Sequence, residues 1–190
     1  MPYGNDPPVG LYTGLRAMTV QSYTEANVKN GAQFEFSSPR TTLAAGQPTT
    51  SVLRTGALPV LIKSRVIQFT GKGITARLYE GGTFTAGSGT GLPIYNMRRK
   101  PPVPAALCTA RAGITVTALG VEYGAPTVGI GSTGQGQTVY GAFQVQGVER
   151  WLEPNTTYFL QITNDSTTDP TDISVYVTFY EGKPDLPLPT

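Results

Sequence analysis

The sequence predicts an all-β protein: an antiparallel β-sandwich, jelly-roll-like, with extended arms at both ends. Three observations lead there. Apolar and β-branched residues alternate with polar ones at period two along most of the chain. Gly and Pro together make up about a fifth of the 190 residues and fall mainly between the alternating runs. No stretch long enough for a stable helix keeps a helical apolar period free of Gly, Pro or β-branched residues. About eight to ten short strands in a chain of this length suit two packed sheets in one domain.

The elements follow in order. Residues 1–14 carry several prolines and glycines and no periodicity, so they form an N-terminal arm, with Tyr3, Leu11 and Tyr12 as apolar handles. The domain proper spans 15–181. Thr19–Thr24 and Gln33–Ser37 flank Asn30-Gly31, a strong turn dipeptide, and predict strands on either side of it. Val60–Phe69 is a long strand candidate closed by Gly71-Lys72-Gly73, and Ile74, Ala76 and Leu78 alternate with Thr75, Arg77 and Tyr79 in the next. Ile114, Val116 and Ala118 alternate with threonines, and Val139–Val145 carries a further run that ends near Trp151. Thr157–Thr163 and Ile173–Tyr180 flank a polar, Pro-containing loop, which predicts a hairpin. Long loops are expected at 81–91 and 98–112, the places on a rigid sandwich where partners are usually met. Residues 182–190 form a Pro-rich C-terminal arm with Leu186 and Leu188 as handles. Such arms either trail in solvent or lie over a neighbouring subunit, and the apolar handles suit the second.

The composition offers little for catalysis. With no His, the commonest general base and metal ligand is missing, and a lone Cys108 forms neither an internal disulfide nor a Cys-rich metal site. A formal charge of +2 does not by itself indicate a nucleic-acid or anionic-membrane partner. No apolar run reaches the roughly 20 residues of a membrane span, and the first residues lack a signal-peptide pattern, so a soluble protein made in a cytoplasm is expected.

Six local patterns invite chemical readings. Gly129–Gly134 matches G-x-G-x-x-G, but the following Gln135–Tyr140 leads into a strand instead of opening the helix a dinucleotide site needs, so a loop is expected. Asp165, Asp169 and Asp172 share one loop without EF-hand spacing, and solvated loop carboxylates are the simpler reading. Glu80 and Glu181 each follow a tyrosine at a strand end; a glycosidase-type pair would require them to meet across a cleft. Trp151 is expected in the core or an interface. Arg98-Arg99-Lys100, stiffened by Pro101, Pro102 and Pro104, is the densest positive cluster, and it either projects into water or docks on a partner's carboxylates. Asn155 and Asn164 begin glycosylation sequons that lack a secretory signal.

Several stretches resemble small virion structural proteins of tailed bacteriophages. Ile74–Glu80 running into Gly81–Gly87, then Pro93–Arg99, is similar to an "arlYEg-tfTagGt-lp-yNrnR" pattern of those proteins. Glu149–Tyr158, the closing Phe179–Gly182, the opening Thr19–Phe34 and Leu61–Arg65 are similar to them too, so the likeness covers most of residues 15–185. It implies a capsid cement or decoration protein: a non-enzymatic, cofactor-free β-sandwich, trimeric in preference to dimeric. Such a protein binds the outer surface of the phage head and bridges neighbouring major capsid proteins. The expected contact residues are Tyr3, Leu11, Tyr12, Arg98, Arg99, Lys100, Leu186 and Leu188, with no membrane and no direct nucleic-acid contact. The alternative is a carbohydrate- or receptor-binding module of a tail or baseplate.

Overall fold

The computed structural model describes residues 9–11, 18–20, 28–131, 140–145 and 150–182. The strands are β1 (Val9–Leu11), β2 (Met18–Val20), β3 (Gln33–Ser37), β4 (Thr41–Leu43), β5 (Pro48–Arg54) and β6 (Val60–Thr70), followed by β7 (Gly73–Phe84), β8 (Thr90–Leu92), β9 (Tyr95–Asn96) and β10 (Thr109–Ala112). Then come β11 (Val116–Glu122), β12 (Thr127–Ile130), β13 (Tyr140–Val145), β14 (Arg150–Leu152), β15 (Thr157–Asn164) and β16 (Thr171–Glu181). One helical turn occupies 28–30.

Two antiparallel sheets face each other. The first runs β13-β6-β16-β3-β9, with β14 also on β6 and β4 also on β16; the second runs β11-β7-β15-β5-β10-β8, with β12 also on β7. The pairings are nested: β3 pairs with β16, β5 with β15, β6 with β13 and β14, and β7 with β11 and β12. A chain whose outermost strands pair first and innermost last, and which then rolls so that β16 also joins β6 and β15 joins β7, is a jelly roll.

Alternation sets the faces. Ile173, Val175, Val177 and Phe179 of β16 point between the sheets, as do Tyr158 and Ile162 of β15. Phe179 is fully buried, stacked on Phe34 with ring centroids 5.6 Å apart and edge-on to Phe36 at 6.0 Å. On the far side of the second sheet, Phe159, Val52 and Ile114 form a smaller cluster. A Cβ at Gly82 would lie 2.2 Å from the Phe159 ring, so the crossing of β7 over that cluster requires glycine.

Three sequence expectations are corrected. Strands β15 and β16 are not a hairpin but enter different sheets. The reason is Asn164, fully buried at the corner. Its Nδ2 donates to the carbonyls of Leu43 (3.2 Å), Ala44 (3.1 Å) and Asp169 (2.9 Å), while its Oδ1 accepts from Ser166 N and Thr171 Oγ1, both at 3.0 Å. That network turns the chain from one layer to the other. Nor does Asn30-Gly31 close a hairpin: β3 pairs with β16, and β2 pairs with β1. Gly31 instead ends the helical turn, with its N–H on the Val28 carbonyl and φ of 74°. The loops are also shorter than expected, because β7 continues to Phe84 and β8, β9 and β10 occupy parts of 90–112.

Phe179→Ala is expected to destabilise the domain by about 3–5 kcal/mol in urea denaturation. A loss below about 1 kcal/mol contradicts the placement of Phe179 at the core centre.

Candidate functional site

The basic cluster lies in the segment 97–108, which leaves the first sheet at β9 and enters the second at β10. Strand β9 pairs with the edge of β3, Phe34 opposite Asn96 and Glu35 opposite Tyr95, and Met97 N donates to the Gln33 carbonyl at 2.9 Å. Asn96 then ties the segment to itself. Its Nδ2 donates to the carbonyls of Gly31 (2.7 Å) and Pro104 (2.9 Å), and its Oδ1 accepts Arg98 N at 2.8 Å.

The far end hangs from Glu181, the last residue of β16 and itself buried. One carboxylate oxygen accepts Cys108 N at 2.8 Å, and both lie 2.9 Å from Leu107 N. A carboxylate meeting two backbone N–H groups in a dry site makes charge-assisted bonds stronger than neutral ones. Gly56 permits the approach, since a Cβ there would lie 2.6 Å from the Leu107 carbonyl oxygen. Burial, the Glu181 charge and a hydrogen bond to Glu181 push the Cys108 thiol well above its ordinary pKa, so it is a poor nucleophile.

Between these anchors Arg99 and Lys100 are exposed and Arg98 half-buried, and none of the three pairs with a carboxylate among the described residues. Around them are large apolar side chains left open to water: Tyr95 (57%), Met97 (37%), Val103 (48%) and Leu107 (54%). Unpaired cations interleaved with exposed apolar groups on a backbone held at both ends make a surface suited to a protein partner with an acidic, partly apolar face. The sequence marked the cations; it missed Tyr95, Met97, Val103 and Leu107. Asn96 and Glu181 were also missed as anchors, because Glu181 acts on residues 73 and 74 positions away and no local pattern reports that.

The other candidates disperse. Asp165 accepts from Thr75 Oγ1 at 2.8 Å, Asp169 pairs with Lys72 Nζ at 2.9 Å, and Asp172 pairs with Arg40 and Thr42, so the three carboxylates face different partners. Hydrogen bonds from Lys72 and from Arg40 hold the Asp169 and Asp172 carboxyls below the usual carboxylate range. Glu80 accepts the Tyr158 hydroxyl at 3.3 Å in the second sheet, whereas Glu181 is taken up by the 107–108 backbone at the end of the first. Gly129 and Ile130 belong to β12 and Gly131 N donates to the Lys72 carbonyl, while 132–139 lie outside the described residues. Trp151 is 43% exposed, which excludes the core and leaves the interface of its two expected placements: at period two the inward position of β14 falls to Leu152. The Leu11 backbone pairs with Met18 in the β1–β2 sheet. Tyr3, Tyr12, Leu186 and Leu188 lie outside the described residues.

No known family model matches the chain, and no curated protein matches it. Among solved structures, the infectious bursal disease virus Gt strain aligns at 11% identity and TM-score 0.19, covering 95% of this chain and 46% of that one. T=1 particles derived from infectious bursal virus align at 11% identity and TM-score 0.20 with the same coverage. The chain therefore spans about 46% of the length of these neighbours, and at such TM-scores the likeness carries no argument.

Glu181→Ala leaves the Leu107 and Cys108 N–H groups without their acceptor. It is expected to raise the rate of Cys108 labelling by a thiol reagent in the native protein about tenfold or more, corresponding to a loss of about 1.5–3 kcal/mol in local stability. Unchanged labelling would show that the carboxylate does not hold the segment in place.

Proposed function

We propose that this chain is a capsid cement or decoration protein. It is a non-enzymatic structural component of a phage virion that binds the outer surface of the head and bridges neighbouring major capsid proteins. The observation that carries the reading is the 97–108 segment: cations without a carboxylate partner among the described residues and exposed apolar side chains, fixed at one end by Asn96 and at the other by Glu181. Preorganisation lowers the entropy lost on docking, so a small surface can bind usefully. The resemblance of residues 15–185 to tailed-phage virion proteins points the same way.

The physics of a shell suits such a protein. A ligand that binds only the assembled lattice stabilises it by mass action, and many weak contacts made by a homo-oligomer, a trimer in preference to a dimer, add as avidity. The N- and C-terminal arms, with Tyr3, Leu11, Tyr12, Leu186 and Leu188, serve as straps onto adjacent subunits, because proline-rich segments have little chain entropy left to lose.

Co-sedimentation with expanded capsids tests this. Replacing Arg98, Arg99 and Lys100 together by Ala should weaken binding about tenfold or more at low salt and flatten its salt dependence, with the circular dichroism spectrum unchanged. Deleting 1–14 or 182–190 should weaken it as well. Full-strength binding by all three variants, or binding to host-cell glycans instead of capsids, would overturn the reading.

A further inference from the structure

A cavity of about 90 Å³ lies between the two sheets, walled mainly by Leu53, Leu78, Leu92, Leu160, Val175 and Val177. Two arginines also line it, Arg65 and Arg150. Arg65 stands opposite Val177 in the β6–β16 ladder, and directly opposed residues share a face, so its side chain enters the core with that of Val177. It falls on that face by the ordinary alternation of β6, in phase with buried Ile67 and Phe69; just before it a bulge, with Ser64 on Thr178 but Ile62 on Phe179, leaves Lys63 over and brings Ile62 and Val60 to the same face. Arg150 stands opposite Ile62, another residue of the cavity wall.

This is an unusual pair of side chains for a core. Arg65 is only 8% exposed, and its Nε is sealed from water without a hydrogen-bond partner. Arg150 donates from Nη1 to the Tyr123 carbonyl at 3.1 Å and lies over the Tyr123 ring at 5.3 Å, with room left for its guanidinium by Gly124. Among the described residues neither arginine forms an ion pair. Glu80, linked to the cavity through Tyr158, accepts the Tyr158 hydroxyl and pairs with neither arginine. Burial, followed by the charge of Arg150, pulls the Arg65 pKa down to about 10. Two neighbouring guanidinium groups thus face apolar walls with no carboxylate paired to either among the described residues, a setting in which a bound anion would offset the buried charge.

The walls define which anion. A phosphate or sulfate has oxygens on every side and would bury several of them against leucine and valine without donors. A carboxylate presents two oxygens on one side, matching the guanidinium fork, and carries carbon on the other. The volume exceeds what a single water needs and accommodates a short hydrocarbon chain. We propose that the inter-sheet cavity binds a small amphipathic monocarboxylate, with its carboxylate between Arg65 and Arg150 and its apolar tail among Leu53, Leu78, Leu92 and Leu160. The site is independent of the capsid reading, since neither arginine belongs to the 97–108 segment.

Hexanoate is a suitable probe, with hexanol and inorganic phosphate as controls, in isothermal titration calorimetry and thermal unfolding of the full chain. Hexanoate should bind saturably and raise Tm, hexanol should bind at least tenfold more weakly, and phosphate should give no saturable heat. Arg65→Met should weaken hexanoate binding at least tenfold while raising the Tm of the ligand-free protein, because it removes an unpaired buried charge. If that variant does not fold, Arg150→Gln provides the same comparison of hexanoate with hexanol. Equal binding of hexanoate and hexanol, undiminished hexanoate binding by the arginine variant, or a full response to phosphate alone would overturn the proposal.

Discussion

Strand β16 is hydrogen-bonded along both edges, to β3 and β4 on one side and to β6 on the other, and most of the molecule's distinctive features depend on that double pairing. Because β3 and β6 are far from β16 in sequence, the last strand has to be inserted between strands already laid down. The outer arm of the roll thus closes the sheet. Its inward residues Ile173, Val175, Val177 and Phe179 supply the centre of the core, where the rings of Phe34 and Phe36 converge on Phe179. Its last residue, Glu181, reaches the opposite end of the sandwich and holds the 107–108 backbone. Its regular pairing with β6 sets Arg65 opposite Val177 on the inward face. One strand thereby positions the core, the exposed segment and the cavity.

The strands themselves were largely legible in the sequence, since 60–69, 74–79, 157–163 and 173–180 all show the alternation that a half-buried strand imposes, and each lies within an observed strand. Their partners were less so. Two alternating runs around a polar loop look the same whether the chain folds back beside itself or crosses to the other layer. Here the choice is made by Asn164, whose side-chain partners include Leu43 and Ala44, about 120 residues away. The nested pairing of the jelly roll is a property of long-range contacts, and period-two alternation carries no record of them.

The candidate site was legible in the same uneven way. Arg98-Arg99-Lys100 between prolines stands out as a charge cluster, and its exposure follows from the cost of burying adjacent cations. The apolar side chains that share its surface were not foreseen, because hydrophobic residues are assigned by default to the core, and only the fold shows that Tyr95, Val103 and Leu107 are left outside. Arg65 shows the converse. Its position is in phase with Ile67 and Phe69, but an arginine is assigned by default to solvent, and only the fold shows it buried against apolar walls.

The proposed role on the capsid exterior rests on a sandwich that presents one cationic, apolar segment from a fixed edge, with proline-rich sequence at both ends. The most direct test is a cryo-electron map of the virion. The account expects symmetric copies of this chain on the outside of the head, with the 97–108 segment seated where neighbouring major capsid proteins meet. Copies confined to the tail, or copies on the head whose 97–108 segment faces solvent, would contradict it.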